Sequence, residues 1–379
     1  MKIAVPREIR SGERRVALVP ESVKKLVKAG IGVTVERGAG EAAFFTDSLY
    51  REEGAEVEGD VAKLYGGADL VLKVQAPALN ETLATHETDL MRAGGMLLAT
   101  LIPARHRDVV EKLAVRGVTA FAIDLIPRIT RAQTMDTLSS MANIGGYKAV
   151  LIAANHLPRY FPMLMTAAGT VLPAKVFVIG AGVAGLQAVA TAHRLGAAVE
   201  ATDTRPVVKE QVESIGAKFV GVVAEEAQDV SGYAKELSAD FYRKQAELIA
   251  ERCAAADAVI TTALIGGVKA PKLITADMVK SMKPGSVIVD LAAEAGGNCE
   301  LTQPGRTVVV HGVTICGPEN LPAEMPWHGS TLYSRNLTAF VLAFWKDGSF
   351  KLDPDDEIIR GCMVSHAGEL LFGRPGAKG

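Results

Sequence analysis

Gly180, Gly182 and Gly185 stand in G-x-G-x-x-G spacing inside "KVFVIGAGVAGLQAVATAHRLGAAVEATD", directly after an apolar run that reads as a strand and where a helical pattern begins. The first glycine permits a tight turn, the second lets backbone approach a pyrophosphate, and the third allows close packing of helix on strand. The helix start adds unpaired N–H groups and the positive end of the helix dipole, which favour an anion. Asp203 ends the following strand. A carboxylate there can accept both hydroxyls of a ribose and repels a 2′-phosphate, so the pattern favours NAD over NADP. Arg205 lies two residues on, where an arginine can receive a 2′-phosphate, or else is a surface residue before Pro206. A purely structural glycine turn is the bland alternative; strand, helix and acid together speak against it.

A second concentration of chemistry is the polar run "DLIPRITRAQTMDTLSSMAN", residues 124–143, set between the apolar "VTAFAI" and a helix ending in "YKAVLIAAN". Asp136 and Ser139 are three residues apart and share a face at a helix start, with Arg128 and Gln133 on the preceding loop. Aspartate is also a good N-cap, so cap and ligand remain equal readings for Asp136. A further G-x-G-x-x-A, at Gly38, Gly40 and Ala43, is followed by two phenylalanines and no clear helix, and reads as a loop.

A dehydrogenase acting on an alcohol, oxo acid or amino acid needs a positioned general acid/base, most often histidine. Of His86, His106, His156, His193, His311, His328 and His366, four fall in helical stretches and only His328 follows the last strand near a plausible cleft. No carboxylate pair, Ser/His/Asp set or metal-ligand cluster stands out. Hydride exchange between two nicotinamides moves no proton at the reacting carbons and needs positioning alone.

These groups require a framework. "KIAVPRE", "GVTVERG", "LVLKVQAP", "GMLLATLI" and "VTAFAI" read as strands, with "PESVKKLVKAG" and "RHRDVVEKLAVRG" as helices between them. A second series begins at Lys175, with strands "KVFVIG", "AAVEATD", "AKFVGV", "DAVITTAL", "SVIVDLA" and "GVTICG". Continuous apolar strands, each followed by a helix, predict parallel sheets covered on both faces. The expected fold is therefore α/β, with two doubly wound parallel-sheet (Rossmann-like) domains separated by a cleft. The first spans residues 1–135 and takes back about 328–379, because the apolar helix "HGSTLYSRNLTAFVLAFW" has no sheet of its own. Residues 136–155 form a linking helix and 156–327 the nucleotide-binding domain.

A net charge of −2 gives no footprint for nucleic acid or an anionic membrane surface. No apolar run approaches the roughly 20 residues of a membrane span, and "MKIAVPREIR" turns charged too early for a signal peptide. Cys253, Cys299, Cys316 and Cys362 stand singly and read as buried free thiols, not a zinc site or disulfides. A soluble cytoplasmic protein without a metal is expected.

"VPREIRSGERRVALVPE", "VLKVQAP", "VIGAGVAGLQA", "TALIGGVKAPKLIT" and "SVIVDLAAEAGGN" resemble the alanine dehydrogenase/transhydrogenase family across nearly the whole chain. In its alanine dehydrogenase branch an arginine and a lysine, matching Arg15 and Lys73, bind pyruvate. That branch's catalytic histidine matches Ile102 and its catalytic aspartate Glu294, so the proton-transfer agent is missing and Arg15 and Lys73 read as structural inheritance. In the transhydrogenase branch an Arg…Gln…Asp loop matches "RITRAQTMDTLSSMAN". The resemblance implies that Arg128 holds the nicotinamide carboxamide, Asp136 and Ser139 contact the nicotinamide ribose, and Gln133 reaches toward NADP(H) on another polypeptide. Glu225 to Glu247 resembles a mobile loop that closes over the nucleotide, with Tyr233 near its tip, although an ordinary solvated helix–loop fits the same residues. Val183 beside Gly182, Thr204 beside Asp203, and Ala263 and Leu264 at the end of the fourth strand complete the expected NAD(H) contacts. Gly145 stands where the family more usually has alanine, which should loosen the linking helix.

Proton-translocating transhydrogenases combine an NAD(H) part, a membrane part and an NADP(H) part, and this chain resembles only the first. The resemblance implies a homodimer working with membrane-spanning subunits and an NADP-binding subunit, peripheral on the cytoplasmic face of the inner membrane. An alanine dehydrogenase-like enzyme and a non-catalytic NAD(H)-sensing module are the rivals.

Overall fold

The computed structural model describes residues 1–221, 238–264 and 269–373. The chain divides into two compact units, one of Met1–Met141 with the chain from Pro322 onward, the other Ala142–Leu321.

In the first unit β1 (Lys2–Val5), β2 (Gly32–Glu36), β3 (Glu56–Glu58), β4 (Leu70–Leu72), β5 (Met96–Ala99) and β6 (Thr119–Ala122) form a parallel sheet in the order 3-2-1-4-5-6. That is the doubly wound order in which the connections reverse beside the first strand. β4 and β6 are buried throughout, as strands covered on both faces must be. α1 (Pro20–Lys28) starts on a proline, carries Glu21 in its first turn and Lys25 and Lys28 in its last, and buries Val23 and Leu26. α2 (Arg107–Val115) buries Val109, Val110 and Leu113.

α3 (Thr137–His156) carries the chain into the second unit. There β7 (Lys175–Ile179), α4 (Val183–Arg194), β8 (Ala198–Thr202), β9 (Lys218–Phe219), α5 (Ala239–Ala255), β10 (Ala258–Thr261), β11 (Val287–Asp290), β12 (Thr307–Val310) and β13 (Val313–Cys316) follow. The sheet runs β9-β8-β7-β10-β11-β13-β12, so its six parallel strands repeat the 3-2-1-4-5-6 order. Those six are the expected strands. The seventh, β12, adds to them and pairs antiparallel with β13. His311 and Gly312 both have positive φ, the two-residue hairpin that matches strand twist. "VVVHGVTI" is the signal for it. Of the stretch from Glu225 to Glu247, residues 225–237 lie outside the described residues; the rest opens α5, with Ser238 Oγ accepting the Phe241 N–H at 3.2 Å.

The chain then returns to the first unit. α6 (Pro326–Phe344) packs Tyr333, Leu337, Phe340 and Val341 into the first unit's core. Its Ser330 and Ser334 hydroxyls accept the N–H groups of Val16 and Val19, so the extended segment before α1 is satisfied by side chains. β14 (Met363–His366) joins β6 antiparallel and β15 (Glu369–Leu370) follows it at the edge. No helix among the described residues is long and apolar enough to cross a membrane.

Candidate dinucleotide site

β7 delivers the chain into a turn that only glycines permit. Gly180 has φ +87°, and its N–H donates to Thr202 O at 2.9 Å. A Cβ at Gly185 would lie 1.9 Å from the Gly180 carbonyl oxygen, so the first turn of α4 rests directly on the loop beneath it. Gly182 is the N-cap and brings no side chain over the helix start. The turn is tied across the sheet by Thr262, whose Oγ1 donates to Gly180 O at 2.8 Å. These residues fit a dinucleotide: a helix N-terminus whose cap residue has no side chain of its own, over backbone that a pyrophosphate can approach.

Asp203 stands just past β8 and is fixed from two sides. Its Oδ2 accepts the Ala181 N–H at 2.8 Å, inside the glycine turn, and its Oδ1 accepts the Arg205 N–H at 2.9 Å. The Arg205 guanidinium forks onto the same carboxylate, Nε to Oδ1 and Nη2 to Oδ2, each 2.9 Å. Burial works to raise this carboxyl, but the Arg205 contacts hold it below its ordinary value. Thr204 is half-buried beside it and Val183 is exposed at the helix start.

On the fourth strand's end, Ala263 is held by a residue to which the sequence assigned no role, the asparagine that closes "SVIVDLAAEAGGN". Asn298, fully buried, accepts the Ala263 N–H at 3.1 Å and donates to Ala263 O at 2.8 Å and to Pro271 O at 2.9 Å. Its neighbour Cys299 donates its backbone N–H to Asp290, whose buried carboxylate also takes Thr261, Ala292 and Thr302. Leu264 beside Ala263 is exposed. Tyr233 lies outside the described residues.

In the first unit the polar run is a 3₁₀ turn, Thr130–Met135, leading into α3. Ala132 and Met135 face the core, while Arg128 and Gln133 are exposed. Arg131 forks onto Asp356 at 2.8 Å, and Asn336 Nδ2 donates to Thr134 O at 2.8 Å, anchoring the turn to the returning C-terminal segment. Asp136 accepts the Ser139 N–H at 2.8 Å and its hydroxyl at 2.6 Å, the geometry of a helix cap. The structure thus brings Asp136 and Ser139 together through their own hydrogen bonds.

Arg15 and Lys73 are buried among carboxylates. Arg15 forks onto Glu13, with Nε to Oε1 at 2.8 Å and Nη2 to Oε2 at 2.6 Å, and Gln75 Nε2 donates to the same Oε2 at 2.7 Å. Against the upward push of burial, these bonds hold Glu13 down at about 2. Lys73 lies 2.8 Å from Glu87 and 3.2 Å from Glu8, and Tyr65 donates to Glu87 at 2.6 Å. Both cations are met by acids of this chain.

The Alanine dehydrogenase/PNT N-terminal domain matches residues 4–145 and the Alanine dehydrogenase/PNT C-terminal domain residues 149–373. The chain belongs to the alanine dehydrogenase/PNT family. It is 49% identical over 376 residues to an NAD(P) transhydrogenase subunit alpha chain of Rhodospirillum rubrum, covering 98% of each chain. It is 32% identical over 379 residues to an alanine dehydrogenase of Halomonas elongata, covering 98% of this chain and 95% of that one. Among solved structures it matches a transhydrogenase from Sinorhizobium meliloti with a TM-score of 0.88 and 44% identity, over 98% of this chain and all of that one.

Within this family Ile102 has structural meaning. Its φ is +44°, a left-handed conformation in which a β-branched residue is an outlier, whereas histidine is several-fold enriched there. Asp124 holds the strained backbone by accepting the N–H groups of Leu101 at 2.7 Å and Ile102 at 3.0 Å. The backbone has a shape in which histidine is common, while the isoleucine side chain offers no proton. His106, nearby in the chain, turns its Nδ1 to Leu101 O at 2.8 Å.

Proposed function

We propose that this chain is the NAD(H)-binding subunit of an NAD(P) transhydrogenase, passing hydride between NADH held in the second unit and NADP⁺ on a partner subunit. The observation that favours this activity over the family's other one is Ile102: a side chain without a proton stands at a positive-φ position, which the resemblance matches to the histidine of alanine dehydrogenases. The near-complete match to the Rhodospirillum rubrum subunit supports the same reading.

Bound NADH supplies the hydride, and its exchange with a second nicotinamide requires no proton at either reacting carbon. The chain's work is then positioning. In this reading the Gly180–Gly185 turn and the start of α4, with Val183, receive the pyrophosphate. Asp203, with Thr204 beside it and held by the backbone N–H of Arg205, sets the adenosine ribose; Ala263, Leu264 and Tyr233 complete the nucleotide contacts. Arg128 holds the carboxamide, Asp136 and Ser139 the nicotinamide ribose, and Gln133 faces the second nucleotide. The reading includes a homodimer on the cytoplasmic face of the inner membrane, with membrane-spanning subunits that couple hydride transfer to proton translocation.

The test is NADH oxidation by the purified chain, first with pyruvate and ammonium, then with NADP⁺ and an NADP-binding transhydrogenase subunit. Turnover only in the second mixture is expected. Turnover in the first would restore the alanine dehydrogenase reading, and binding of NADH without turnover in either would point to a sensing module.

A further inference from the structure

A carboxylate offers about four lone-pair positions. At Asp203 four N–H groups among the described residues reach them: Ala181 N, Arg205 N, Arg205 Nε and Arg205 Nη2, at 2.8 to 2.9 Å. The first two are backbone and belong to the framework. The last two come from one long side chain that can rotate away. The same guanidinium reaches the phosphate turn, since a Cβ on Gly182 would stand 3.7 Å from Arg205 Nη2. One cation therefore covers both the acid assigned to the ribose and the space above the second glycine.

We infer that Arg205 is an internal occupant of the ribose subsite, donating to Asp203 where the two ribose hydroxyls would donate, and that the dinucleotide binds by displacing it. The inference rests on the ribose role given to Asp203 under the proposed function. Its chemistry is an exchange of donors: two O–H groups replace two N–H groups, and the carboxylate stays satisfied. A ribose 2′-phosphate keeps only its 3′-hydroxyl as a donor, so opening the fork for it leaves one of the two Asp203 positions unfilled and sets a dianion beside the carboxylate. The fork then acts as a specificity element, opened without loss only by a free diol.

The test is the Kd of NADH for the full chain and for Arg205→Ala and Arg205→Lys. Both variants keep the two backbone bonds that hold Asp203, and the lysine keeps the positive charge beside the phosphate turn. Loss of the fork should tighten NADH binding in both, roughly 2- to 10-fold for a partly exposed ion pair. Binding no tighter than wild type in either variant overturns the inference; weaker binding in Arg205→Ala with recovery in Arg205→Lys would make Arg205 a phosphate ligand instead. Adding Asp203→Asn to Arg205→Ala tests the underlying reading separately. A further loss of affinity keeps the ribose role of Asp203, and no change removes that role whatever Arg205 does.

Discussion

A Cβ placed on Gly146 would stand 2.0 Å from the carbonyl oxygen of Ala184, so α3 crosses the start of α4 in direct backbone contact. Its neighbour Gly145 has nothing within 4 Å. Two adjacent glycines in one helix thus have opposite reasons to exist. Gly145→Ala should raise stability by about 0.5–1 kcal/mol, the usual gain for a helix interior. Gly146→Ala forces two helices apart and should cost about 1–3 kcal/mol, with weaker NADH binding because Ala184 lies in the helix that leaves the glycine turn proposed for the pyrophosphate. Thermal unfolding of the two variants checks both signs; equal effects would remove the contact as the cause.

Asn298→Ala leaves the Ala263 N–H, the Ala263 carbonyl and the Pro271 carbonyl without their buried partner. A loss of about 2–4 kcal/mol of stability is expected from several unpaired buried groups. NADH affinity should fall with it, measured on the fraction that remains folded. Unchanged affinity would show that Ala263 is not a nucleotide contact.

Gln133 is exposed on the 3₁₀ turn, so Gln133→Asn should leave the fold unchanged. The proposal for this loop predicts slower hydride transfer to partner-bound NADP⁺ at an unaltered Kd for NADH. Stopped-flow transfer with the reconstituted partner subunit reads both, and a full-rate variant would sink the assignment.

Ile102→His puts, on a backbone already at φ +44°, the histidine that the resemblance gives to alanine dehydrogenases. Alanine dehydrogenase activity should still be absent, because Arg15 and Lys73 are engaged by Glu13, Glu8 and Glu87, and because Glu294 replaces the aspartate. Sustained NADH oxidation with pyruvate and ammonium would overturn that view.

Glu13 links this buried cluster to pH. Its folded pKa is depressed from 4.5 to about 2, so its contribution to stability is fully present above about pH 4.5 and is lost as pH falls toward 2. Glu13→Gln should be less stable than wild type at pH 7, since it strands the buried Arg15 charge. The gap should hold down to about pH 5 and narrow below it in denaturant titrations at pH 7, 5 and 3.5. A gap independent of pH would mean that Glu13 carries no ionisation difference between the folded and unfolded chain.

Much of the glycine turn was legible because its determinants are local. Strand, glycine spacing, helix and Asp203 lie within one βαβ segment, where periodicity and turn chemistry act over a few residues. Asp136 was legible as an N-cap for the same reason, and the cap is what the helix start shows. The hairpin partner β12 could have been read from His311–Gly312, but a short strand of valines after a loop has no periodicity of its own.

From the residue order alone came the two series of buried strands, the glycine turn and the family to which they belong. Tertiary structure decided what those residues touch. Asn298 grips Ala263 across 35 positions, and Ser365 hydrogen-bonds Val118 O across 247. The fork of Arg205 on Asp203, the burial of Lys73 between two glutamates and the difference between Gly145 and Gly146 belong to the same class. Propensity and spacing act through neighbours in the chain, whereas a buried donor takes whichever acceptor the packed fold places within about 3 Å. That partner has no signature in the sequence around either residue.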